Sequence, residues 1–276
     1  MCKPLRLHIY TSHLQWNAHN QARQNLDFNT IITIEDYQMN MEIVYKENPT
    51  SIAYASNKMT LAIYPICVEY LNADGTISKM AITFISEDKD HSHQQVQQFE
   101  RRMFEIIREK LQRPISNWIS YSDGCGAQFK SRFVVADMFH APQIFGLDNV
   151  TFNFFESHEG KNTSDSIGSI VKCSFIRGML KSDQAMCNVD DVLNMILSET
   201  KSSTKKFDHF VVEKFGRFQK KTADSREYCK ITGIMSLHSL KLVDNKLVLL
   251  SSPALNVCLP VFVKSVRPSK QKRQLM

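Results

Sequence analysis

"WISYSDGCGAQFKSRF" (residues 118–133) opens as an aromatic strand pattern, stops at an acid, turns through two glycines and then takes up helical spacing. Trp118, Ile119 and Tyr121 lead into Asp123, and Gly124 and Gly126 free the backbone to leave a sheet sharply. Phe129, Phe133 and either Val134 or Ala136 then predict a helix over 128–140. A strand feeding directly into a helix is the building unit of α/β folds, and ligands gather at the carboxyl ends of such strands. The reading of this corner therefore bears on fold and site together.

Upstream, "FNTIITIED" (28–36) is a β-branched run that ends in two acids and predicts a buried strand reaching Asp36. Residues 42–46 and 52–71 read as strand material. "NADGT" (72–76) supplies an Asp-Gly turn into "SKMAITFIS", predicting a hairpin. Ser92 and Gln95 form a capping-box pattern ahead of an apolar stripe at Val96, Phe99, Met103, Ile106, Ile107 and Leu111, which Pro114 stops. Downstream, "VTFNFFE" predicts another strand, and a helix begins near Asp165 with Ile167, Ile170 and Val171 on one face. Three antiparallel strands followed by strand–helix crossovers predict a mixed five-stranded sheet with helices on both faces. With the fourth strand beside and parallel to the first, Asp36 and Asp123 face each other where the connection order reverses. The expected organisation is a helical lead-in (1–27), the α/β core (28–182) and a C-terminal extension with a basic tail (183–276).

The 276 residues are 43% hydrophobic and 10% aromatic, enough for a substantial core. No run of about 18 apolar residues is present, so no membrane span is expected. The N-terminal stretch lacks a signal-peptide pattern. Seven cysteines stand singly with no C-x-x-C pair, which argues for reduced thiols inside a cell, nuclear or cytoplasmic, over a disulfide or zinc framework. The net charge is +6, and "KSVRPSKQKRQLM" (264–276) carries five Lys or Arg and no acid, the composition of a solvated tail, a nuclear address or a phosphate-contacting arm.

Two carboxylates held together repel unless a proton or cation intervenes, and oxygen ligands without thiols or a histidine pair favour Mg2+ or Mn2+. Asp165 is placed to supply a third acid. Two ions about 3.5–4 Å apart can activate an attacking water and stabilise the leaving oxygen of a phosphodiester. The bland alternative is two strand-end acids and one helix N-terminal acid favoured by the dipole. A Cys125–His158 nucleophile and base is a further option, but it leaves Asp36 and Asp165 without a purpose. "HSH" (91–93) sits in a helix cap, where a structural role is expected, and "KNTS" matches a glycosylation pattern an intracellular chain would not use.

The segments "IEDYQMN" (Asp36, Asn40), "WISYSDGCGAQFKSRF" (Asp123 to Lys130) and "FFESHEGKNTSDSIGSIVK" (His158, Gly160, Lys161, Asp165, Gly168, Lys172) resemble the ribonuclease-H-like catalytic core of DDE/DDD-type transposases and integrases, as found in transposon-derived proteins of invertebrate genomes. The resemblance spans roughly residues 20–180 and extends faintly through "GIMSLHSL" (233–240). Glu159 interrupts the family's His-Gly-Lys string, and Ser166 and Ser169 stand where it carries glycines. It implies metal-dependent DNA cleavage and strand transfer, with two Mg2+ or Mn2+ ions: Asp36 touching both, Asp123 one and Asp165 the other. Glu156 is a second candidate for the third acid. Lys130, Lys161 and Lys172 would meet phosphates, His158 would orient a phosphate or the attacking water, and Gln128 would bond across the site or cap its helix. DNA is the expected partner, with further copies of the chain an option and a membrane excluded. The competing class is a domesticated or decayed module that binds nucleic acid or protein without chemistry.

Beyond residue 183, "NVDDVLNMILSET" predicts a capped helix, and residues 231–263 read as short strands. Phe207, Phe210, Phe215 and Phe218 are interleaved with lysines and arginine. That pattern suits base stacking or, as favoured here, an amphipathic element packing its rings on the core.

Overall fold

A computed structural model describes residues 3–43, 59–126, 128–155, 163–182, 188–200, 205–216, 237–243, 246–250 and 259–260. In chain order its elements are α1 (Lys3–Gln24), β1 (Thr30–Glu35), β2 (Gln38–Glu42), β3 (Thr60–Leu71), β4 (Ile77–Ser86), α2 (His93–Leu111), β5 (Asn117–Ser122), α3 (Arg132–Phe145), β6 (Asn149–Phe154), α4 (Thr163–Lys181), α5 (Val189–Thr200), β7 (His209–Phe215), β8 (Ser239–Val243), β9 (Lys246–Leu250) and β10 (Leu259–Pro260). The strands form one mixed sheet in the order β10-β9-β8-β6-β5-β1-β3-β4-β7, with β2 paired to β3. β1 pairs antiparallel with β3 and parallel with β5, and β5 pairs parallel with β6. The arrangement is mixed α/β with helices on both faces, and the strand-four-beside-strand-one pairing holds. Among the described residues no helix is long and apolar enough to cross a membrane.

The sheet is wider than the five expected strands. The C-terminal segments join it at both edges: β7 runs parallel to β4, and β8 runs antiparallel to β6. Phe207 is buried, and Phe210 and Phe215 pack against the core, so these rings serve the sheet edge and not an open stacking platform. Phe218 lies outside the described residues.

Alternation decides which face each strand residue serves. Ile31, Ile66, Val68, Ile82 and Phe84 point toward α2 and α3, whose Phe99, Met103, Ile107, Met138 and Phe145 complete that core. Ile32, Ile34, Cys67 and Ala81 point the other way, toward Leu26 below α1 and Ile167 on α4. Each such side chain contributes about 1.5–3 kcal/mol on full burial, so the α2 stripe alone accounts for its docking. The hairpin is as expected, with Gly75 at φ +82° in the loop and Leu71 opposite Ile77.

Two local expectations change. The capping box of α2 is half made: Ser92 accepts from the Gln95 amide, but the Gln95 side chain donates to Ser86 and Asp88 and accepts from Tyr37. Helix α3 begins at Arg132 with Ser131 as its N-cap, four residues after the expected start, and ahead of it the Phe129 and Lys130 amides donate to the Cys125 carbonyl. α1 is tied to the sheet through Glu69 on β3, which lies 2.8 Å from Lys79 Nζ and 3.3 Å from His19 Nε2. Burial alone would raise that carboxyl; contact with His19 and Lys79 outweighs it and draws it down to about 2.

Candidate functional site

The last residue pair between β1 and β5 is Glu35 with Ser122, so Asp36 and Asp123 are the first residues beyond it, where the two strands part. β1 does not end in solvent there. The register with β3 continues from Glu35 opposite Ile66 to Gln38 opposite Ile63, which sets Asp36 opposite Pro65. Proline has no amide hydrogen to give, a natural place for the ladder to lapse. Asp123 folds back on its own turn, its Oδ1 accepting from the Cys125 amide at 3.1 Å. Asp165 enters from the other side, in the first turn of α4.

Asp36 senses the charges of the other two carboxylates. Burial, then the charge of Asp123, then that of Asp165 push Asp36 up to about 7, against a partial offset from the Tyr37 amide. Burial also raises Asp123, opposed by the Cys125 amide and the Lys130 charge. An acid raised by burial and by two like charges is a group that a proton or cation would stabilise. Among the described residues no three His, Cys, Asp or Glu side chains are close enough together to enclose one ion. A pair of ions sharing Asp36 asks only for two carboxylates at each, and the all-oxygen donor set suits hard divalent cations. In donor chemistry, three carboxylates match such a pair.

Lys130 departs from expectation. It is only 7% exposed, its Nζ 5.2 Å from the centre of the Phe154 ring. A Cβ on residue 124 would lie 3.2 Å from that Nζ, so Gly124 opens the space the lysine occupies. With α3 starting late, Lys130 is turned inward, where its charge opposes the rise of Asp123. Lys172 is half-buried along α4 from Asp165; burial lowers its pKa and the Asp165 charge opposes that. Ser131, not Gln128, caps α3. Gln128 lines a small cleft with Glu35, Glu100 and Asp137 on the α2/α3 face. His158, Lys161 and Glu156 lie outside the described residues, as does the Asn162 motif.

Cys125 packs against the apolar core beside α3, and the described cysteines, Cys67, Cys125 and Cys173, are free thiols. His91 stacks on Tyr37 at 4.1 Å and bonds Asn40 at 2.8 Å, and His93 stacks on Phe133 at 4.5 Å, so both histidines have structural settings. Ser166 and Ser169 are exposed positions of a regular helix, where glycine is not required.

Two features were not anticipated. Gln38 donates from Nε2 to Asp165 Oδ1 at 2.8 Å; the period of two along a strand, which puts residues 36 and 38 on one face, was the available signal. On the opposite face burial raises Glu35 despite hydrogen bonds from Ser120, Tyr64 and Thr33, and burial followed by the charge of Glu35 raises Glu100. Glu100 sits four residues after Val96 and three before Met103, an acid on an apolar stripe.

The sequence profile of a domain of unknown function, DUF8701, matches residues 15–253. The chain belongs to that family. No curated protein sequence matches it.

Proposed function

We propose that this member of the DUF8701 family is a divalent-metal-dependent enzyme that cleaves and transfers phosphodiester strands of DNA, built on a ribonuclease-H-like core. The observation that carries the reading is the placement of Asp36 and Asp123 at the parting ends of two parallel strands, with Asp165 in electrostatic reach from α4. The central strand order β6-β5-β1-β3-β4, with helices on both faces, supports the same reading. So does the motif resemblance, which covers the same three acids.

Asp36 would be shared between two Mg2+ or Mn2+ ions, with Asp123 completing one site and Asp165 the other. When bound, such a pair supplies Lewis acidity that activates an attacking water or hydroxyl and stabilises the leaving oxygen. The chain's own part is to hold the acids. The Cys125 amide orients Asp123, Lys130 balances its charge, and β1 fixes Asp36 through the β3 register. Lys172, near Asp165, is the described cation best placed to steady a phosphate. A DNA substrate would place the protein in the nucleus.

Calorimetric titration with Mn2+ tests the centre, using the wild type, Asp36→Asn and Asp123→Asn. The expected result is two equivalents for the wild type and loss of both in Asp36→Asn, with manganese-dependent nicking of a labelled duplex abolished in both variants. Binding that neither substitution changes would sink the two-ion site. Salt-sensitive DNA binding with no nicking above the variants would instead identify a binding module without chemistry.

A further inference from the structure

We propose that Gln38 is a positioning residue for the third carboxylate and that Gly168 leaves the space it needs, the two forming a notch that aims Asp165 at the cation shared with Asp36; this rests on the metal-centre reading above. Gln38 is the first residue of β2, two positions beyond Asp36. Its Nε2 donates to Asp165 Oδ1 at 2.8 Å. To make that bond the side chain crosses α4 at residue 168. A Cβ there would lie 2.4 Å from Gln38 Cγ and 2.7 Å from Cδ, closer than real side chains approach. Gly168 is buried inside a regular helix with an ordinary backbone, so its lack of a side chain serves packing against Gln38 and not a special turn.

The choice of an amide is chemically specific. A lysine or arginine at residue 38 would hold Asp165 equally well but would neutralise it, and a neutralised carboxylate is a poor cation ligand. An amide N–H orients one oxygen while leaving the negative charge in place, as outer partners of metal-binding carboxylates do. Because Gln38 and Asp36 ride on the same strand edge, the bond also couples the position of α4 to that of the shared acid.

The test is Mn2+ titration followed by calorimetry and by electron paramagnetic resonance of bound Mn2+, with thermal unfolding of the apo protein as a folding control. Gln38→Met keeps the length and bulk of the side chain and removes the donor. It is expected to leave one equivalent at wild-type affinity and weaken the other by about 10–100-fold, matching the site that Asp165→Asn removes. Gly168→Ala is expected to give the same loss by displacing Gln38. In the pair Gln38→Ala/Gly168→Ala the new methyl occupies vacated space, so the double variant should be no weaker than Gln38→Ala alone and should melt higher than Gly168→Ala. Two equivalents at unchanged affinity in folded Gln38→Met overturn the positioning role while the metal centre stands. No binding by the wild type, or two equivalents retained in Asp165→Asn, overturns both.

Discussion

Asp36 and Glu35 are adjacent acids with opposite surroundings, and the difference is one step of strand alternation. Glu35 points into the α2/α3 core, wholly enclosed and hydrogen-bonded by Ser120 and Tyr64. Asp36 points to the α4 side and meets two other carboxylates. A carboxyl whose folded value is raised binds its proton more tightly in the native state, so it opposes folding once pH rises above its unfolded value and does so fully beyond its folded one. For Asp36 that window runs from its ordinary range near 3.8 up to about 7. In chelator, therefore, the wild type should lose melting temperature as pH goes from 5 to 8. Asp36→Asn should lose less over the same interval and melt higher at pH 8, by roughly 2–4 °C for each kcal/mol of relieved repulsion. Scanning calorimetry of the two proteins across that range measures the difference. Parallel slopes would mean that Asp36 is not the strained acid.

At the scale of elements, what the sequence makes legible is what depends on period and punctuation. The α2 stripe, the Asp-Gly hairpin and the strand ending at Asp36 each carry their own local signal, and each stands where expected. The start of α3 does not: helical spacing from Phe129 is real, but the helix starts only at Arg132, after a turn on the Cys125 carbonyl. Whether Lys130 faces in or out is a three-dimensional detail of that stretch, so the role of that lysine could not be read from its spacing. Gln38 is only half legible for a similar reason: strand period puts it on the face of Asp36, but its partner Asp165 is remote in sequence and only helix docking brings them together. The contact between α4 and α5 is equally hidden. Gly178 on α4 is buried, and a Cβ there would lie 2.2 Å from Met195 Cγ on α5, near the root of that side chain where it cannot simply swing aside. Gly178→Ala is expected to cost about 1–3 kcal/mol by overpacking, read by urea denaturation, without changing Mn2+ stoichiometry. A loss below about 0.5 kcal/mol would show that the two helices slide apart freely.

For the molecule as a whole, the expected boundary near residue 182 cuts through a single sheet. The three acids and most of the motif resemblance lie before it, but the hydrophobic accounting does not stop there. β7 covers β4 along seven paired positions, from Met80 with His209 to Ser86 with Phe215. α5 brings Val189, Val192 and Ile196 onto Leu61, Ile63, Ile85, Val171 and Phe175, which would otherwise face water. β8 caps the other edge against β6, with Leu240 and Leu242 in the main core. A chain ending at residue 182 would therefore expose two long sheet edges and an apolar helix face, the features that drive edge-to-edge association. Such a truncation, although it retains Asp36, Asp123 and Asp165, is expected to run as large aggregates on size exclusion and to show no cooperative thermal transition. A chain ending at residue 250 keeps β7 to β9 and should remain monodisperse with a single transition. If the shorter chain is instead soluble, melts cooperatively and binds Mn2+ like the longer one, the segments past 182 are an accessory layer, and the acids and their fold form an independent unit.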